Sequence, residues 1–194
     1  DTFMRVAMSV HVGLNSLALL QWGSEDQKQR FLVPQAQGEK LGTFGLTEPN
    51  AGSDAGSIES TYVQDGDSYI LNGSKMWISL AAVADHFLVF ASYDRSLKHN
   101  GLTAFIVERG MEGFTTGTIK GKLGVRAGNT GELAFNNVRV PLENRVGEEG
   151  EGFKIAMSCI DQGRFTVGAG AVGLIRACLD ASVKYANERY AFGA

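Results

Sequence analysis

The chain has 194 residues, 44% of them hydrophobic and 20% charged, with a formal net charge of −3 and a pI near 5.6; this is a globular composition with enough apolar residues for a sizeable core. No Lys/Arg cluster is present, which argues against a nucleic-acid groove or an anionic membrane surface as partner but leaves phosphate-bearing small ligands open. Apolar runs such as residues 17–20 are too short to span a bilayer and no leader-like segment opens the chain, so membrane insertion is not expected and a soluble intracellular protein is.

Met4, Ala7, Met8, Val12, Leu17 and Leu20 fall at helical spacings and predict a helix over 4–21, buried on much of its surface. Ser24-Glu-Asp-Gln27 has the capping-box form and predicts a second, short helix over 25–32, which Pro34 helps to end. From 41 to 140 the period changes to two. Asp65-Gly66 and Asn72-Gly73 are hairpin dipeptides, and they predict antiparallel strands near 58–64, 68–71 and 74–80. Further strands are expected near 86–93, 102–108, 114–119 and 131–140. Seven short strands without an intervening helix predict an antiparallel sandwich or barrel.

The Glu- and Gly-rich stretch 147–152 reads as a linker, and helical periodicity returns over 153–160 and 165–190 with a break around Gly163. Small residues over 168–173 suit tight helix packing. Cys159 and Cys178 are expected to be reduced core residues. The expected fold is thus α+β and multidomain: a central antiparallel β-sandwich or barrel over 41–148, flanked by helical segments over 1–40 and 149–194. Because it starts at Asp1 in mid-pattern, the chain reads as an internal piece of a longer protein.

Two segments carry the chemistry. Gly45-Leu-Thr-Glu-Pro-Asn-Ala-Gly-Ser-Asp54 mixes small residues and hydroxyls, so its backbone can approach a ligand closely. In Gly73-Ser-Lys-Met-Trp-Ile-Ser79, the flat ring of Trp77 and the hydroxyl of Ser79 stand two residues apart, on one face of a regular strand. Taken singly, Thr47 and Ser53 would be turn formers and Trp77 a core aromatic. Metal chemistry finds no support, since His11, His86 and His99 are isolated; His99, in the loop near 95–101, reads as solvated, with contact to a ligand phosphate as the alternative.

Together, in this order, the two segments resemble the acyl-CoA dehydrogenases, over essentially the whole chain. The resemblance implies FAD as cofactor. It implies that Phe44, Leu46 and Thr47 contact the isoalloxazine ring, with Trp77, Ile78 and Ser79 beside it, and that Gly52 and Ser53 lie where flavin phosphate or ribityl meets the pantetheine arm. Many relatives have Thr at the place of Ser79. Asp161-Gln-Gly-Arg164 resembles the segment lining the thioester and the adenine side of CoA, making Asp161 and Arg164 substrate-side candidates with Ser53; the same two residues could also be a plain helix-surface ion pair. Arg189 and Phe192 resemble the helix end that reaches a neighbouring subunit's flavin, which implies a homo-oligomer, tetramer or dimer.

The implied reaction takes a proton from the α-carbon of an acyl-CoA thioester and a hydride from the β-carbon to the flavin, giving trans-2-enoyl-CoA, with electrons passing to an electron-transferring flavoprotein. No catalytic residue is expected within the chain. In most relatives the base is a Glu in a helical bundle beyond residue 194; in a few it immediately precedes the Arg matching Arg164, where this chain has Gly163. Glu48 is expected to serve loop structure. Arg5 resembles the glutaryl-CoA dehydrogenase residue that receives a distal carboxylate, so a dicarboxylyl-CoA substrate is an alternative. An acyl-CoA oxidase, a flavin monooxygenase or a non-catalytic acyl-CoA-binding module are further alternatives, and a bacterial cytoplasm or a mitochondrial matrix is the expected location.

Overall fold

A computed structural model describes residues 2–193. Thr2–Met8, Ser9–Ser16 and Leu17–Trp22 run on as one helix, α1, whose middle stretch is wound in wide i→i+5 turns. Its buried face is narrower than expected. Ala18 and Leu19 are fully enclosed, whereas Met4, Met8, Val12 and Leu20 are exposed. The capping box forms: Gln27 N donates to Ser24 Oγ at 3.2 Å and Ser24 N to Gln27 Oε1 at 3.1 Å, opening helix α2 (Glu25–Gln27, Lys28–Leu32, Val33–Gln37). Pro34 does not end it. Wide turns precede it and Pro34 sits at the start of the final segment, where a missing N–H costs least. Gly38, at φ 78°, stops the helix instead, its N–H bonding to Gln35 O at 3.1 Å.

Eight strands follow: β1 (Gly42–Gly45), β2 (Thr61–Asp65), β3 (Ser68–Ser79), β4 (His86–Ser92), β5 (Leu102–Glu108), β6 (Phe114–Thr118), β7 (Thr130–Pro141) and β8 (Arg145–Val146). They form one mixed sheet in the order β6-β7-β3-β2-β4-β5-β8, with β1 also on β4. Most pairings are antiparallel as expected. β1 on β4 is parallel, and so is the single β2–β4 pair Thr61↔Ser92. The Asp65-Gly66 hairpin is present, pairing Asp65 with Ser68. Asn72-Gly73 is not a turn: β3 runs through it, with a register shift against β7 between Leu71 and Gly73. Gly73 stands at φ 139°, and a Cβ there would come within 2.7 Å of Ser60 Cα. A bulge under a crossing backbone demands the same glycine as a turn.

The sheet curls so that its two halves face each other. Ring centroids of Phe87 and Phe114 lie 4.8 Å apart and those of Tyr69 and Phe105 5.0 Å apart, inside a core that includes Leu71, Leu133 and Val138. The opposite faces of β4 and β5, with Leu88, Phe90, Ala104 and Ile106, are covered by Leu19, Phe31, Ile155 and Cys159 of the helices. β4 is therefore buried on both sides throughout, which explains its unbroken apolar sequence.

The last element is a single helix, α3 (Gly152–Glu188), unbroken at Gly163. Gly163 is buried against α1, where a Cβ would approach Leu14 Cδ2 to 3.2 Å. It serves a helix crossing rather than a junction. Beyond it α3 is exposed, so Cys178 is exposed and only Cys159 is a core residue. By length and composition alone, Phe3–Trp22 and Gly152–Glu188 are apolar enough to cross a bilayer, a property the count of consecutive apolar residues overlooks; Leu19, Ile155 and Cys159 nonetheless belong to the core.

Candidate functional site

The two motif segments come together side by side. Thr43, fully buried in β1, donates from Oγ1 to Ser79 O, and Met76 N donates to Thr47 O at 2.8 Å. These bonds lay residues 44–47 along residues 76–79. Phe44 is anchored from below by Phe90, ring centroids 5.1 Å apart.

Trp77 departs from regular strand geometry. Lys75 pairs with Leu133 and Ile78 with Gly131, so Met76 and Trp77 stand opposite one residue of β7, and Trp77 takes φ 63°. Such an angle is costly for a bulky residue and needs support from its surroundings. The two-residue alternation that would place Trp77 and Ser79 on one face does not apply in this bulge. The outcome is a Trp ring 57% exposed next to a buried Ile78, with Ser79 half-buried.

Beside this platform a cleft of about 310 Å³ is lined by Leu46, Thr47, Gly52 and Ser53 of the first motif together with Arg164 of α3. Four of the candidates thus share one cavity with a substrate-side candidate far away in sequence. Asp161 is not part of its lining; it pairs with Arg164 at 3.2 Å, both side chains being largely exposed. Lys98, His99, Phe153, Met157 and Ile160 also line it. His99 is therefore more than a solvated loop residue: its ring packs 5.5 Å from Phe153. Sequence reading missed Lys98 and the α3 residues, although 153, 157 and 160 follow the i, i+4, i+7 spacing of one helix face.

Glu48 lies directly after Thr47 and is buried. Its carboxylate accepts from Glu59 N, from Ser60 N at 3.1 Å, from Ser60 Oγ at 2.6 Å and from Lys75 Nζ at 2.6 Å. Burial works to raise its pKa, but the Lys75 ammonium and these donors outweigh that and hold the carboxyl below its usual range. Burial pulls Lys75 down to about 8 against the attraction of Glu48, so the two are an ion pair at neutral pH.

The remaining candidates lie apart from the cleft. Arg5 is exposed on α1, its Cδ facing Gly170 of α3. Arg189 and Phe192 follow the far end of α3 and are exposed, Phe192 completely. A larger cavity at residues 118–129 contains none of the motif residues, and Lys122 there is engaged with Gly128 O at 2.6 Å and Thr130 Oγ1 at 2.8 Å.

Family models of the acyl-CoA dehydrogenase N-terminal, middle and C-terminal domains match residues 1–39, 43–138 and 150–194. A short-chain specific acyl-CoA dehydrogenase of Clostridium acetobutylicum is 45% identical over 97% of this chain and 50% of its own length. Butyryl-CoA dehydrogenase from Megasphaera elsdenii superposes with a TM-score of 0.95 at 46% identity, covering 100% of this chain and 51% of that one. A glutaryl-CoA dehydrogenase in complex with glutaryl-CoA gives 0.93 at 42%, covering 100% and 49%. The chain spans about half the length of the curated relatives it matches. It carries the two motif segments, the sheet that joins them and the helix that closes the cleft, and it belongs to the acyl-CoA dehydrogenase family.

Proposed function

We propose that the protein carrying this chain dehydrogenates a short-chain acyl-CoA to trans-2-enoyl-CoA with FAD as cofactor and an electron-transferring flavoprotein as acceptor. The observation that carries the reading is the alignment of residues 44–47 with 76–79 by two hydrogen bonds, next to a cleft that also holds Arg164. The residues fit a flavin. Trp77 presents an exposed flat ring on the segment tied to Thr47 through Met76 N, and the hydroxyls of Thr47 and Ser79 have no protein partner among the described residues. Around Gly52 a side chain would meet nothing within 4 Å, leaving open backbone for a close approach.

FAD, when bound, supplies the acceptor for the β-hydride. Phe44, Leu46, Thr47, Trp77, Ile78 and Ser79 would hold its ring system, with Gly52 and Ser53 toward the phosphates. Arg164 and Lys98 present cationic donors, and His99 a ring nitrogen beside them, suited to the phosphates of CoA. Phe153, Met157 and Ile160 give the cleft an apolar wall, and a low-polarity wall would strengthen hydrogen bonds to a thioester oxygen and so the acidity of the α-proton. Gly163 supplies no base, and Leu14 fills the space at its Cα; we assign that role to a Glu outside residues 1–194. Arg189 and Phe192, exposed at the end of α3, would serve the site of a second subunit. The three parts 1–40, 41–148 and 149–194 are taken as segments of successive domains, and a bacterial cytoplasm or mitochondrial matrix suits this chemistry.

Arg5 faces α3 rather than the cleft, which favours a monocarboxylic acyl group over a dicarboxylic one. The test is an anaerobic titration of the full-length protein with butyryl-CoA and glutaryl-CoA, following the yellow flavin absorbance. Bleaching by butyryl-CoA, retained in Arg5→Ala, is expected. Bleaching by glutaryl-CoA alone would replace the substrate assignment, and a colourless protein that cannot be reconstituted with FAD would favour a binding module.

A further inference from the structure

The Glu48–Lys75 pair lies beneath the candidate flavin site, with side chains 3% and 1% exposed. Three stretches of chain converge on the one carboxylate. Residue 48 follows Thr47; Glu59 and Ser60 close the loop that carries Gly52 and Ser53; Lys75 comes two residues before Trp77, at the edge of its bulge. A further hydrogen bond, Ser60 Oγ to Glu48 at 2.6 Å, completes the set of donors. Burying both charges is costly, and well-packed apolar residues would stabilise a fold at least as well. An apolar pair would lack direction. Oxygen acceptors in fixed positions with a single ammonium opposite define one arrangement of loop and bulge.

We propose that the Glu48–Lys75 pair positions the flavin site: it sets the loop hydroxyls of Thr47 and Ser53 against the ring of Trp77, and so is a determinant of FAD affinity and environment rather than a support of the fold alone. This role rests on the flavin reading given above. Neither residue touches the cofactor in this scheme; both act through their neighbours.

The test uses full-length apoprotein, wild type and three variants, titrated with FAD by the quenching of flavin fluorescence, with the visible spectrum of the bound flavin and the apoprotein melting temperature recorded alongside. The double variant Glu48→Gln/Lys75→Met removes both charges and keeps the volumes near their originals. It is expected to melt close to wild type yet to bind FAD roughly tenfold or more weakly, with an altered visible band. Glu48→Asp keeps the charge but shortens the reach, and is expected to weaken FAD several-fold with the fold intact. Asp65→Asn, which breaks the exposed pair with Arg139, is the control and should change nothing. Wild-type FAD affinity and spectrum in Glu48→Asp and in a folded double variant would overturn the positioning role. Should the double variant fail to fold, Glu48→Asp alone decides. A wild-type apoprotein that takes up no FAD would refute the flavin reading itself, a result recognisable before any variant is compared.

Discussion

His86 opens β4 with its ring 1% exposed, 5.0 Å from the ring of Phe31, and with neither ring nitrogen hydrogen-bonded. Burial, reinforced by Lys40 and to a lesser degree by His11 and only partly opposed by Asp85, lowers its pKa from 6.5 to about 4. The folded ring therefore stays neutral where the unfolded one is protonated. Because the unfolded state binds the extra proton, stability is lost as pH falls from 6.5 toward 4 and levels off below, where both states are charged. A depression of that size corresponds to about 3 kcal/mol. His86→Phe, of similar shape to pack on Phe31, removes the titrating group. We expect urea unfolding of the full-length apoprotein to show the variant gaining on wild type by about 3 kcal/mol between pH 7 and pH 4. Carboxylates common to both proteins cancel in that difference. A gap between variant and wild type that is the same at both pH values would refute the reasoning.

Gly131→Ala would drive a Cβ into Gly117 O and to 2.8 Å from Ala81 Cβ, where β6 and β7 meet; overpacking of this kind should cost about 1–3 kcal/mol, and an unchanged urea midpoint would contradict it. Cys159 is buried and its thiol is pushed up to about 11, so a disulfide reagent should modify it only as the protein unfolds, with labelling of Cys159 in the native state, read by peptide mass, as the contrary result. Trp77→Ala should weaken FAD binding roughly tenfold through loss of one aromatic face. The ring is largely exposed in this chain, so the apoprotein melting temperature should hardly move; a large drop would make Trp77 a core residue after all.

What the sequence discloses and what it hides divide along one physical line. Signals whose cause is local were legible: the Ser24–Gln27 box, the Asp65-Gly66 turn and the alternation of β7 need only their own neighbours. Signals whose cause lies elsewhere in the chain were misread. Asn72-Gly73 looks like a turn because the glycine is needed, but the need arises from Ser60 crossing above it. Gly163 looks like a helix break because glycine is a poor helix former, yet it is there for Leu14. Pro34 looked terminal because nothing local announces the wide turns of Lys28–Leu32 that make room for it.

The candidate site follows the same division with an instructive exception. Thr47, Ser53 and Trp77 were found as a pattern, whereas Lys98, Phe153, Met157 and Ile160, which complete the cleft, were not, since each is ordinary in its own segment. Glu48 lies between. Its position in the first motif was plain and its task in loop structure was anticipated, but its partner is Lys75 of the second motif. That bond gives a physical reason for the two motifs to occur together: a carboxylate buried in one is tolerable only if the other supplies the ammonium. Losing Lys75 alone would strand a buried charge, so neither segment can drift without the other, and the residues between them on the surface, Thr47 and Trp77, are held at fixed separation as a consequence.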